Sequence, residues 1–208
     1  MIDLELNSSK DLKREGKSFY WASFFLPKSS KKKAGILYSI CRYFDDIADK
    51  HIEDQTNFLK DTIEEIKKNK NNKVNIFLQK NKINNSIFID LIEGLILDQQ
   101  KIRIQNKEEL IKYSYHVAGT VGLMMSKIIG VKNKDAAKSA IDLGIGMQLT
   151  NIARDVYEDS KMKRVYLPAN WIPNISLKNL NNFDELSLEN DEKISKAINR
   201  VISLSEKF

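Results

Sequence analysis

Apolar and polar positions recur along most of this chain at the three-to-four-residue step of helices that bury one face. The periodicity predicts helices over 29–49, 54–69, 84–103, 107–129 and 135–158, with shorter ones over 18–26 and 189–207. Pro27, Pro168 and Pro173 all fall at boundaries of periodic segments, where a missing N–H does no harm. Gly130, followed by Asn133 or Asp135 as the N-cap candidate, marks a stop and restart. The stretch 160–188 reads as loop with short turns, and alternating strand patterns bounded by turn pairs are lacking. The expected fold is all-α, one helical bundle formed by residues 1–208 as a single domain.

Two of these helices carry acids where a buried face should be apolar. In YSICRYFDDIADK (38–50), Tyr38, Arg42, Asp45 and Asp49 share a stripe, with Asp46 at its edge and Ile40, Ile47 and Ala48 around it. A carboxylate is almost never buried without a partner. Taken alone, the stripe reads equally as a solvated face with an Arg42–Asp46 ion pair. The segment GIGMQLTNIARDVYED (144–159) changes the balance, because Gln148, Asn151, Asp155 and Asp159 step by three, four and four. Two such helices facing one cavity would offer hard oxygen ligands suited to Mg²⁺, which binds through a few carboxylates plus substrate phosphates. Zinc is disfavoured, since His51 and His116 are isolated and Cys41 is the single cysteine. These three residues are read as structural.

Charge adds a smaller constraint. The net charge of +6 and pI near 9.2 suit an anionic partner: nucleic acid, anionic lipid or a phosphorylated small molecule. The lysines lie in scattered runs such as 28–33 and 67–73, read as solvated loops and helix ends, and aromatic-spaced basic stripes are absent. No nucleic-acid partner is expected. No apolar run reaches the roughly 20 residues of a membrane span, and the first 17 residues lack the apolar core of a signal peptide. A cytoplasmic protein is expected.

Six blocks, KSFYWASFFLP, LYSICRYFDDIAD, LIEGLILD, YSYHVAGTVGLMM, GIGMQLTNIARDVYED and RVYLP, occur in the order and spacing of the squalene/phytoene synthase family. The chain resembles that family of head-to-head trans-isoprenyl diphosphate synthases, and most of all the bacterial phytoene synthases, from about residue 14 to 170. The resemblance implies a class I isoprenoid synthase bundle around an apolar cavity. It implies Asp45 and Asp49 as one Mg²⁺-binding pair and Asp155 and Asp159 as the second, with Asn151 as a further ligand and Mn²⁺ as a substitute metal. It places Ser18, Phe19, Tyr38 and Arg42 against a substrate diphosphate, Gln148 and Asn151 between the acid pairs, and Arg154 and Arg164 near the phosphates. In VAGTVGLMM, Val117, Val121, Leu123 and Met124 would wall the prenyl tails, and Gly119 and Gly122 would let them approach; ordinary helix packing through small residues is the plainer account of those glycines.

The implied reaction is condensation of two geranylgeranyl diphosphates to phytoene through a cyclopropyl diphosphate, a step of carotenoid biosynthesis. Its near alternative uses farnesyl diphosphate and yields presqualene diphosphate, squalene or dehydrosqualene. A reading of another class is a non-catalytic assembly or scaffold protein, against which all four outer aspartates persist with Arg42, Gln148 and Asn151. The chain departs from the family pattern at Leu95 and Leu97, where methionines are usual, although Asp98 is kept, and at Lys163, where glycine commonly precedes the arginine. Ending at Phe208, it is expected to lack the family's last helices and to leave a cavity wall open. Long apolar substrate tails imply peripheral contact with a membrane surface. Oligomeric state is not legible here.

Overall fold

The computed structural model describes residues 16–49, 53–99, 103–176, 180 and 188–208, with the backbone alone at 17, 18, 53 and 54. The chain runs through α1 (Lys17–Ala22), a 3₁₀ turn (Ser23–Phe25), α2 (Lys28–Ala48), α3 (Glu53–Lys67), α4 (Lys73–Lys80) and α5 (Asn85–Gln99). It continues with α6 (Lys107–Ser114), a π-helical turn (Tyr115–Gly119), α7 (Thr120–Ile129), α8 (Lys134–Arg154), α9 (Val156–Lys161) and α10 (Leu188–Ser205). Among the described residues the β pairing is a single isolated bridge, Arg103 with Val165. No described helix is long and apolar enough to cross a membrane.

The expected helices are present, with three differences. Helix α4 was hidden by the polar run before it. Asn72 caps it by accepting from the Asn75 N–H, and the buried Asn75 amide donates to the carbonyls of Lys70 and Glu65, so asparagines build the turn. The span 107–129 is interrupted by the π-helical turn, a rare element that often marks functional sites. The span 135–158 breaks at Asp155, where φ −103° and ψ 20° leave the helical range. At the predicted restart, Asn133 is the residue that caps α8, and Gly130 ends α7 at φ 84°.

Burial follows the periodicity. Ala34, Leu37, Ile40, Phe44 and Ala48 of α2 join Phe88, Leu91, Ile92 and Leu95 of α5 and Met124 and Ile128 of α7 in one core cluster. A second cluster gathers Tyr113, Ile145, Leu149, Ile152, Leu167, Ile194 and Val201 around α6, α8 and α10. Close backbone approach locks α7 onto α8: a Cβ on Gly122 would collide with the Ala140 carbonyl, and one on Gly144 with that of Ala118. Gly119 faces the same seam, its Cβ direction meeting Tyr115 at 3.0 Å and Ile141 at 3.2 Å. The expectation that Gly119 and Gly122 admit a prenyl tail is therefore corrected. Their missing side chains serve helix packing.

Candidate active site

Helices α2, α5, α7 and α8 enclose a cavity of about 740 Å³. Its apolar lining includes Leu37, Leu91, Leu95, Val121, Met125 and Ile129, with Phe19, Ala22 and Leu26 of the N-terminal segment along one side. Its polar lining includes Tyr38, Arg42, Asp45, Asp98, Tyr113, Gln148, Asn151 and Arg154. On α2, α5 and α8 the charged or amide residues occupy the last turns, where exposed carbonyls and the helix dipole already make the field negative. Three negative helix ends thus meet with carboxylates added to each, an arrangement that attracts cations.

One cation is built in. Arg164, 5% exposed, bonds Asp49 through Nη1 at 3.0 Å and donates from Nε to the Asp98 carbonyl at 3.3 Å. Its Nη2 is buried with no hydrogen-bond partner among the described residues. The Asp98 carboxylate accepts from Tyr166 Oη at 2.6 Å and from Tyr113 Oη at 2.9 Å, and the two rings stack with centroids 4.8 Å apart. A short extended segment delivers this set. Ile104 N–H donates to the Val165 carbonyl and Ala169 N–H to the Ile104 carbonyl. Val165 and Leu167 pack in the second core, while Arg164 and Tyr166, two residues apart, reach Asp98. Lys163, ahead of it, sits at φ 62°, the left-handed region that favours glycine, which explains why glycine suits that position.

Asp45, Asp46 and Asp155 are also held by arginine. Arg42 bonds Asp45 at 2.9 Å and Asp46 at 2.8 Å. Arg154 grips Asp155 with two bonds of 2.6 Å, so it turns along the chain to its neighbour. Burial, then the neighbouring Asp49, raises the Asp45 carboxyl to about 6, with Arg42 opposing. Burial, then Asp155, raises Asp159 to about 7 against the pull of Arg164. Asp98 repels both, so it is electrostatically between the two acid pairs. Burial raises Asp98 too, opposed by Tyr166, Arg164 and Tyr113. The Cys41 thiol, on the cavity wall, is pushed up to about 12 by burial and by Asp45, which keeps it protonated and inert.

A pH dependence follows. Asp45 and Asp159 bind a proton more tightly in the folded protein than in the unfolded chain, where carboxyls titrate near 3.8. Their contribution to stability is complete below about pH 4 and is lost as pH rises through about 6 to 7. With chelator present, raising pH from about 5 to 7.5 should lower Tm, and Asp159→Asn should shrink that drop. Identical pH slopes for the two proteins would contradict the assignment.

Of the residues picked from sequence, Phe19, Tyr38, Arg42, Asp45, Val117, Gln148, Asn151 and Arg154 line the cavity. Asp49, Asp155, Asp159 and Arg164 stand outside the lining, next to its polar end through the contacts above. Leu123 and Gly119 do not line it. The Ser18 side chain lies outside the described residues. Among the described residues no three His, Cys, Asp or Glu side chains come close enough together to hold a metal ion, so the aspartates are not a ready-made cage. Sequence reasoning missed Tyr113, Tyr166 and the central place of Asp98. The signal was there: all three fall inside the matched blocks, and Asp98 is an acid directly after the apolar run Leu95, Ile96 and Leu97.

Comparison with known proteins bears on the same region. The family model described as squalene/phytoene synthase matches residues 12–208. The chain belongs to the squalene/phytoene synthase family. A family relative, the 15-cis-phytoene synthase of Enterobacter agglomerans, is 39% identical over 119 residues, covering 57% of this chain and 39% of that protein. That of Paracoccus sp. is 31% identical over 189 residues, 83% of this chain and 62% of that protein. The match therefore spans less than two thirds of the length of these relatives. A dehydrosqualene synthase structure solved with a ligand superposes with a TM-score of 0.80 at 27% identity, covering 96% of this chain and 72% of that one. A squalene synthase from Alicyclobacillus acidocaldarius superposes at 0.72 with 19% identity, covering 98% and 86%, a likeness of fold. The bundle is of the isoprenoid synthase type.

Proposed function

We propose that the protein is a prenyltransferase that joins two prenyl diphosphates head to head, with two geranylgeranyl diphosphates giving phytoene through a cyclopropyl diphosphate. The observation that carries this reading is the 740 Å³ cavity, greasy along α2, α5 and α7 and polar where Arg42, Asp45, Gln148, Asn151 and Arg154 converge. Such a volume suits a small-molecule ligand with an apolar body and one charged head. The phytoene synthase relatives support the choice of product.

The donor chemistry fits Mg²⁺. The acids around the cavity mouth supply oxygen only, and the carboxyls of Asp45 and Asp159 are raised first by burial and then by the neighbouring Asp49 and Asp155, both of which a bound cation would offset. With no three-ligand cage, the fit is to an ion held by one or two carboxylates and completed by substrate phosphates and water. Asp45 and Asp49 would hold it on one side, Asp155 and Asp159 with Asn151 on the other. Bound there, Mg²⁺ would neutralise charge on the departing diphosphate. The chain's own work is to orient and shield. Arg42 and Arg154 can swing from their aspartates to a diphosphate and bind it as forks. Gln148 and Asn151 hold it between the acid pairs. The apolar lining excludes water, so that the allylic cation meets an alkene and no alcohol forms. The product would be an oil and the substrates carry long apolar tails on a charged head, which favours work at a membrane surface.

A farnesyl-using reaction is the second reading, favoured by the likeness to a dehydrosqualene synthase. Incubating the purified protein with Mg²⁺ and either geranylgeranyl or farnesyl diphosphate, then identifying the hydrocarbon, tests both. Phytoene from the longer substrate supports the first reading and a C30 hydrocarbon the second. Prenyl alcohol alone would contradict both, because it means the cation is not shielded.

A further inference from the structure

The N-terminal segment presents aromatic rings to solvent at the cavity's edge. Phe25 is 91% exposed, Trp21 70% and Phe24 54%, although rings of this size are ordinarily buried in a soluble protein. Three rings of the segment cluster, Trp21 5.8 Å and Tyr20 5.0 Å from the Phe24 ring, centroid to centroid, and Phe25 follows Phe24 in the same short turn. Phe19, Ala22 and Leu26 of the same segment turn the other way and line the cavity. The patch and the substrate chamber are thus two sides of one thin wall.

Beside the rings lies concentrated positive charge. Lys28, Lys31, Lys32 and Lys33 begin α2, and Lys31 Nζ sits 3.6 Å over the Phe24 ring. From Gly16 to Phe44 the chain holds no Asp or Glu. A second copy docked on this face by a twofold axis would bring the lysine clusters together and be repelled. Exposed Trp and Phe flanked by lysines match a bilayer interface instead, where rings sit at the acyl boundary and ammonium groups meet anionic headgroups.

We propose that residues 20–33 dock the protein on an anionic lipid surface, Trp21, Phe24 and Phe25 entering the interface and Lys28, Lys32 and Lys33 contacting headgroups. The cavity wall formed by Phe19, Ala22 and Leu26 then lies against the bilayer, the route by which long apolar chains enter and leave. This use of the surface rests on the prenyl-chain reading above, whereas the docking itself does not.

Vesicle flotation without substrate therefore tests it independently of turnover. The protein should float with phosphatidylcholine vesicles containing anionic phosphatidylglycerol and be released by salt, since screening acts within a Debye length of about 8–10 Å. Replacing Lys28, Lys32 and Lys33 together by Gln should weaken partitioning by about a hundredfold at low salt. Trp21→Ser with Phe25→Ser should weaken it by roughly tenfold or more on anionic vesicles while leaving Tm unchanged, because both side chains face solvent. In a Trp171→Phe background, brominated acyl chains should quench Trp21 fluorescence. Absence of flotation at low salt, lysine and aromatic variants that float like the parent, or unquenched Trp21 would each overturn the proposal. So would concentration-dependent dimerisation that is abolished by Trp21→Ser, since it would assign the patch to a second copy.

Discussion

Asp155→Asn is expected to lower turnover by about two to three orders of magnitude with little loss of fold. The substitution keeps the size of the side chain and removes one charge from the second acid pair. On the proposed reaction the charge matters because diphosphate departure would place several negative charges at the polar end of the cavity, and a cation held there would be shared between the two acid pairs. Folding should tolerate the change. Asp155 is part of what holds Asp159 at about 7, so its neutralisation relieves a repulsion that the folded protein otherwise carries. The Arg154 fork, now bonded to Asp155 at 2.6 Å, would lose its ionic partner and sit in solvent at small cost, being exposed already. Steady-state kinetics with geranylgeranyl diphosphate, beside a thermal melt, checks both halves. Turnover within a few-fold of the parent would show that the second pair takes no part in ionisation.

Arg164→Met should be the most destabilising single change at the site, at about 3 kcal/mol, lowering Tm by about 6–12 °C. A buried guanidinium that bonds Asp49 and the Asp98 backbone cannot be removed without taking the donor from the Asp49 carboxylate and from the Asp98 carbonyl. Asp98 is the more costly of the two. It is buried, and although Tyr113 and Tyr166 still donate to its carboxylate, its backbone carbonyl would lose the Arg164 donor and its carboxylate the nearby positive charge. Asp49 keeps solvent contact and pays less, which sets the estimate at the lower end for a broken buried pair. Arg164→Lys should recover part of the loss, because one ammonium restores charge but cannot reach both groups as a fork. A melt of Arg164→Met within about 2 °C of the parent would refute this account of the cluster.

Helix positions were legible because burial of one face imposes a period on the side chains, and α2 shows this from Ala34 to Ala48. The acid stripes were legible for the same reason: Asp45 and Asp49 share a face whatever packs against it. Helix α4 was not, since lysines and asparagines make its approach look like loop. Its cap depends on Asn75 reaching the carbonyls of Lys70 and Glu65, a contact no periodicity announces. The π-helical turn was equally hidden, because one wider turn alters the face of every later residue while leaving composition unchanged.

By itself, the sequence determined that the protein is helical, that Asp45 and Asp49 share one helix face, and that its blocks are those of one family. These are properties of single helices and of residue order, fixed by local geometry. Only the tertiary structure decided which residues meet. Gly122 and Gly144 let α7 and α8 cross at backbone contact, and the turn after α9 swings Arg164 and Tyr166 onto Asp98. Three helix ends then share one electrostatic field, in which burial and neighbouring acids push the Asp45 carboxyl up to about 6 and that of Asp159 to about 7. Coulomb energy and desolvation depend on distance through space. No spacing along the chain contains that distance.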